Sequence, residues 1–167
     1  MTTPTPANGT EKEAGSQQVL TFVLGNETYG VDILRVQEIR GFSAVTKIPH
    51  APAHVLGVLN LRGAIVPIMD LRRRFALASA EFTPVTVVIV LSLNTEQGQR
   101  ECGIVVDAVS DVVDVPQDAI RAAPEVAGQE RADFVAGLAQ VEDRMLILLD
   151  AGELLGRELL GVTADAA

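Results

Sequence analysis

The sequence predicts an all-β protein, arranged as barrels or a sandwich. Three observations lead there. About ten short runs of β-branched or alternating residues follow one another along the chain. Turn residues punctuate them at frequent intervals, and helical periodicity is confined to short stretches, with no alternation of strands and long helices of the kind that builds a parallel nucleotide-binding sheet.

Residues 1–16 hold Pro4, Pro6, Gly9 and Gly15 among polar side chains, too little apolar area to offset the entropy of ordering. They read as a disordered leader, with structure expected from Gln17. Val19–Leu24 and Tyr29–Ile33 alternate on either side of Gly25-Asn26, which makes a β-hairpin. Val36–Arg40 continues with a mixed pattern and Val45–Ile48 is β-branched, before Pro49 and Pro52 withdraw ladder donors and impose an extended connection. Val55–Leu61 and Ala64–Met69 flank Arg62-Gly63, where glycine accepts the positive φ of a tight hairpin. Asp70 is positioned to cap a short helix, Leu71–Phe75.

In the second half, Val85–Leu93 is almost wholly apolar and β-branched, as expected of a strand buried on both faces. Asn94–Arg100 reads as a polar hairpin loop. Cys102–Val106 and Val109–Val115 are strands on either side of Asp107, and Pro116 and Asp118 break the run. Phe134–Val141 and Met145–Leu149 pair across Glu142-Asp143-Arg144. Asp150 with Glu153 forms a capping box for a terminal helix whose Leu154, Leu155, Leu159 and Leu160 share a face up to Gly161. Residues 17–161 are expected to form the folded unit and 162–167 a flexible tail.

No reactive constellation emerges. Gly57–Gly63 lacks the Lys-Ser/Thr end of a phosphate loop and lies between strands rather than before a helix. His50 and His54 have the spacing of a helical metal grip, but Pro49 and Pro52 forbid the helix. Asp107, Asp111, Asp114 and Asp118 lack the glycine and final glutamate of a calcium loop and read as a solvated edge. No serine sits in a nucleophile elbow, and Cys102, the only cysteine, lies in an apolar strand where a free thiol acts as a small hydrophobe. Arg72, Arg73 and Arg74 point in different directions around one helical turn and read as solvated charges rather than a nucleic-acid patch.

Charge excludes further classes. The formal net charge is −9 with a pI near 4.6, which disfavours phosphate backbones and anionic headgroups. The first 83 residues carry 8 basic and 7 acidic side chains, and the remainder 5 and 15. No apolar run approaches the roughly 18 residues of a membrane-spanning helix. The leader lacks a signal peptide's apolar centre, and a single cysteine suits a reducing, cytoplasmic setting. What remains is a binding module, with no cofactor and no metal expected.

Two segments resist a purely structural explanation. Val36–Gly41 (VQEIRG) and Asn60–Gly63 (NLRG) set isolated charges and glycines within apolar strands. Glycine lets another backbone approach, and the planar fork of arginine fixes a partner by hydrogen bonds. A hairpin turn with a solvent-facing arginine accounts for the same residues equally well.

The run TFVLGNETYGVDILRVQEIRG, the later KIPHAPAHVLGVLNLRGAIVPIMDLRRRF, and the segments TVVIVLSL, CGIVVDAVSDVVDV and FVAGLAQVEDRMLILLD together resemble the CheW family of bacterial chemotaxis coupling proteins. The likeness spans about residues 18–155, and its V-x-E-I, G-V-x-N-L-R-G and V-D-x-V-S-D-V patterns are specific in combination. It implies two packed five-stranded SH3-like β-barrels with short helices and a C-terminal helix, and no catalytic activity. It further implies a non-enzymatic adaptor, cytoplasmic and recruited to the inner face of the membrane through receptor arrays. Such an adaptor joins the cytoplasmic tip of a methyl-accepting chemoreceptor to the regulatory domain of the histidine kinase CheA.

By the matching motif positions, the receptor surface comprises Val36, Glu38, Arg62, Val109 and Val112, and the kinase surface, on the first barrel, Gly41, Val45, Gly63 and Thr86. The Asn94–Arg100 loop is longer and more polar than a minimal family hairpin, Cys102 stands where an aliphatic residue is expected, and residues 1–16 have no counterpart. A coupler of a non-flagellar chemosensory pathway shares the same features. From another class, a small-ligand-binding β-barrel or an enzyme is the competing reading, for which no convergent polar pocket can be named.

Overall fold

The computed structural model describes residues 15–75, 77, 81–95, 98–122 and 134–155. The expected opening hairpin is β1 (Ser16–Leu24) and β2 (Glu27–Asp32). A 3-10 turn, η1 (Ile33–Arg35), capped by the Asp32 carboxylate, leads into β3 (Val36–Gly41). β4 (Val55–Leu61) and β5 (Ala64–Asp70) pair across Arg62-Gly63, and Asp70 accepts the Arg72 N–H to start α1 (Leu71–Arg74). β6 (Val87–Thr95) and β7 (Gly98–Val106) form the next hairpin. There follow β8 (Ala108–Pro116), a second 3-10 turn η2 (Gln117–Ala119), and β9 (Ile120–Arg121). The last hairpin is β10 (Val135–Val141) with β11 (Arg144–Leu149), followed by a helical turn at 151–155. The Glu153 N–H donates to Asp150 Oδ1 at 3.1 Å, the N-cap half of the expected box, while the Asp150 N–H donates to the Phe134 carbonyl.

The strands form two sheets, ordered β3-β6-β7-β5-β4 and β8-β1-β2-β11-β10-β9. Both curl so that their ends meet. In the first, the chain leaving β3 pairs back onto β4 through Thr46 and Val58, whose N–H groups donate to each other's carbonyls at 3.0 and 2.8 Å. In the second, β8 and β9 stand at opposite ends of the order yet are separated only by η2, so one bent run supplies both edges. Closure in this way removes free strand edges. We call these barrel I (β3–β7) and barrel II (β1, β2, β8–β11). Counting β8 and β9 as one bent strand, each has five.

The barrels repeat one another. β3, β6, β7, β5 and β4 correspond in order to β8, β1, β2, β11 and β10. Each barrel holds one parallel pair, with Ile68 opposite Gly103 and Leu148 opposite Gly30. Each bulges at a glycine, Gly57 or Gly137, where an added Cβ would strike the backbone of the closing segment at Thr46 or Arg121. Each ends on an aspartate, and the Asp70 and Asp150 N–H groups donate to the carbonyls of His54 and Phe134 at 2.8 and 2.7 Å. The chain is thus two successive five-strand units, each lending its leading hairpin to the other's three strands.

Three apolar clusters follow from strand alternation. Leu61, Val66, Ile68, Val88, Val90 and Val105 fill barrel I, and Val19, Val113, Val115, Ala139, Leu146 and Leu148 fill barrel II. Between the barrels lie Leu20, Phe22, Leu24, Tyr29, Ile89, Leu91, Ile104, Phe75 and Phe134 with their neighbours. β6 therefore buries Val88 and Val90 on one face and Ile89 and Leu91 on the other. Each such side chain contributes about 1.5–3 kcal/mol on full burial.

Several expectations are corrected. The Asn94–Arg100 loop is mostly ladder, since Asn94 pairs with Gln99 and Thr95 with Gly98, because backbone pairing at an exposed hairpin end tolerates polar side chains. Val85 precedes the strand, in a turn closed by the Thr86 N–H donating to the Thr83 carbonyl at 3.0 Å. Val45–Ile48 contributes only the Thr46 bridge.

Arg72 is wholly buried rather than solvated, and Asp107 and Asp111 are engaged in ion pairs rather than lining a free edge. Burial opposes the Arg72 charge, but hydrogen bonds to Asp70 and Asp107 and the attraction of both carboxylates outweigh it and hold the guanidinium pKa above its ordinary value. Residues 1–14 of the expected leader, the 162–167 tail, and Leu159, Leu160 and Gly161 of the terminal helix lie outside the described residues.

Candidate partner-docking surface

The β4–β5 turn places Arg62 and Gly63 at φ 55° and 86°, both positive as a type I′ hairpin requires. The Gly63 N–H donates to Asn60 Oδ1 at 3.0 Å. Sequence reasoning foresaw the glycine; the left-handed arginine, a conformation costing on the order of 1 kcal/mol, is evident only in the fold. That backbone turns the Arg62 guanidinium toward β3, where it pairs with Glu38 Oε1. Arg40 Nη1 approaches Glu38 Oε2 at 3.4 Å, so one half-buried carboxylate is held between two arginines. Arg40 Nε is buried without an acceptor among the described residues.

Around this pair lies an open groove of about 470 Å³ lined by Gln37, Val58, Arg62, Ile65, Arg100 and their neighbours. Ile65, 64% exposed, supplies apolar surface among the charged and polar side chains that line it. Charge-rimmed aliphatic surface of this kind suits a protein partner better than an enclosed small ligand. Among the described residues no group of three or more His, Cys, Asp or Glu side chains is placed to hold a metal ion. No described helix is long and apolar enough to cross a membrane.

The predicted receptor residues divide between the barrels. Val36, Glu38 and Arg62 belong to barrel I, and Val109 and Val112 to β8 of barrel II. Val36 and Val109 occupy equivalent positions at the starts of β3 and β8, and both pack against the inter-barrel core. Val112 is exposed and opposes Leu20, beyond a bulge where Asp111 folds back onto Thr21. The Asp111 carboxyl lies below the usual carboxylate range, chiefly through the hydrogen bond from the Thr21 hydroxyl; slight desolvation opposes this, and Arg144 adds a hydrogen bond and a favourable charge.

Of the predicted kinase residues, Gly41 is exposed at the end of β3, Gly63 shares the turn with Arg62, and Val45 sits half-buried at the barrel seam beside Gly57. Thr86 is only 3% exposed, and its hydroxyl accepts the Thr83 N–H. Close to it in the chain, Val85 and Phe82 are exposed, the latter stacked on Phe42 at 4.3 Å. Leu34 in η1, 86% exposed, was likewise missed. Its only signal in the sequence is an apolar residue in a turn, which is common for other reasons.

The model of the CheW-like domain matches residues 18–159. The chain belongs to the CheW family. Among its relatives, the chemotaxis protein CheW of Klebsiella aerogenes is 48% identical over 155 residues, covering 93% of this chain and 91% of that protein. The chemotaxis protein CheW of Rhizobium meliloti is 39% identical over 136 residues, with 81% and 85% covered. The crystal structure of the scaffolding protein CheW from Thermoanaerobacter tengcongensis superposes with a TM-score of 0.71 at 32% identity, covering 80% of this chain and 83% of that one. CheW membership accords with the two packed, strand-rich units described above, and the match begins within β1 of the first repeat.

Proposed function

We propose that this CheW-family chain is a chemotaxis adaptor that couples a chemoreceptor to the histidine kinase CheA without chemistry of its own. Residues 17–161 act as one unit, flanked by a leader at 1–16 and a tail at 162–167. The receptor's cytoplasmic helical tip docks on Val36, Glu38, Arg62, Val109 and Val112. The kinase regulatory domain docks on barrel I around Gly41, Val45 and Gly63, with Thr86 shaping that face from beneath. The protein works in the cytoplasm, held at the inner membrane face through its receptors.

The observation carrying this reading is the Glu38–Arg62 pair, an oriented charge couple beside exposed aliphatic side chains, within the motifs that carry the family resemblance. Arginine in a fixed fork confers specificity, while Ile65 and Val112 supply burial. Holding receptor and kinase on one body raises the concentration of each near the other and gives a receptor's conformational bias a path to the kinase.

Reconstitution of kinase with receptor fragments tests it. Adding this chain restores receptor control of phosphorylation, and omitting it abolishes that control. Receptor control that is equal with and without the chain refutes the proposal.

A further inference from the structure

Resting on that adaptor reading, we infer that Arg72 is a positioning residue that sets the angle between the two barrels and thereby aligns the two halves of the receptor surface. Because that surface is divided between the barrels, a receptor tip meets all of it in only one relative orientation. The chain passes between the barrels twice, from β2 to β3 through η1 and from β7 to β8 through Asp107.

The second crossing is gripped. Arg72 Nε and Nη2 donate to Asp70 Oδ1 and Oδ2 at 3.0 and 3.1 Å, and Nη1 donates to Asp107 Oδ1 at 2.9 Å and to the Glu81 carbonyl. The other oxygen of Asp107 accepts the Gly25 N–H at 2.7 Å, and its own N–H donates to the Val23 carbonyl at 3.0 Å. One carboxylate is therefore tied to α1 of barrel I and to the β1–β2 hairpin of barrel II. Phe82 covers the guanidinium at 5.0 Å.

The internal repeat distinguishes this arrangement from ordinary core construction. In the second unit Asp150 stands in the place of Asp70, but Gly152 replaces Arg72. At the first crossing, exposed Leu34 takes the place of Asp107. A duplicated fold thus builds the ionic grip once, at a crossing and not inside either barrel. Buried ion clusters add little net stability over apolar isosteres, since desolvation offsets attraction; what such a cluster supplies here is one fixed arrangement.

Asp107→Ala in the full chain tests this, because Asp70 still neutralises Arg72. Calorimetric titration is made with a receptor-tip fragment and, separately, with the kinase regulatory domain. Receptor affinity is expected to fall about tenfold while kinase affinity changes by less than about twofold, with Asp107→Asn limiting the receptor loss to about threefold. A merely structural role would lower both affinities together. Equal losses, or no loss in either, while the unaltered chain binds both partners, overturn the positioning role alone. Failure of the unaltered chain to bind either partner overturns the adaptor reading and this inference with it. If the alanine variant does not fold, the asparagine variant is read by the same ratio, and an unchanged ratio refutes the role.

Discussion

Arg62 at the tip of the β4–β5 hairpin closes on Glu38 of β3, and these elements stand at opposite ends of the strand order of barrel I. The pair spans the same seam that Thr46 and Val58 stitch with backbone hydrogen bonds. Barrel II repeats the device with Arg144 and Asp111, Nη2 to Oδ2 at 3.3 Å. The most exposed ion pair of the candidate site is therefore also a product of barrel closure.

Arg62→Glu should weaken receptor binding about tenfold or more, as loss of a central charged anchor does. The Arg62 side chain is exposed and Glu38 keeps Arg40 as a second partner, so the change in unfolding free energy should stay within about 1 kcal/mol. The charge swap Glu38→Arg with Arg62→Glu should restore stability but not affinity, because the partner reads the original polarity. Titration alongside thermal unfolding checks this, and undiminished affinity in Arg62→Glu would contradict the surface.

Arg72→Ala leaves Asp70 as a buried carboxylate without its main counter-charge. Removing one member of a buried pair costs about 3–5 kcal/mol. The urea midpoint should fall accordingly; a loss below about 1 kcal/mol would mean that water reaches Asp70.

Gly57→Ala should destabilise the chain by about 3 kcal/mol, the upper end for an overpacked site. The new methyl meets the Thr46 carbonyl, which is backbone and closes the barrel, and φ at this position is 151°. Gly41→Ala, with open space around the position, serves as the control and should be nearly neutral. Equal effects at the two positions would argue against seam closure at Thr46.

The Asp111 carboxyl titrates below its unfolded value, so it binds fewer protons folded than unfolded through the acid range. Its stabilisation is fully present above the unfolded pKa of about 3.9 and is lost as pH falls through the lower folded value. The stability difference between the unaltered chain and Asp111→Asn should be constant above about pH 5 and shrink below about pH 4. Denaturant titrations at pH 2.5, 4 and 7 would show this, and a difference that grew on acidification would refute it.

Much of the fold was legible because its determinants are local. Alternation disclosed β1 and β2, Arg62-Gly63 disclosed a hairpin, and the apolar run at Val85–Leu93 disclosed a strand buried on both faces, which begins two residues later, at Val87. Of the candidate site, the family resemblance supplied Val36, Glu38, Arg62, Val109 and Val112, but residue types alone could not show that Glu38 and Arg62 touch. They lie 24 positions apart, on strands that meet only across a seam. Arg72 looked solvated because three adjacent arginines carry no mark of which one faces inward, and its partner Asp107 lies 35 positions away.

The sequence by itself determined most of the strands and the turns between them, since alternation, turn propensity and capping are set by neighbours along the chain. Only the tertiary structure decided that two units exchange hairpins, that each barrel closes at a bulged glycine, and that one arginine of three is buried at the crossing between them. Those outcomes depend on pairing between distant strands, where register and the burial of charge are settled by the whole assembly and leave no local pattern to read.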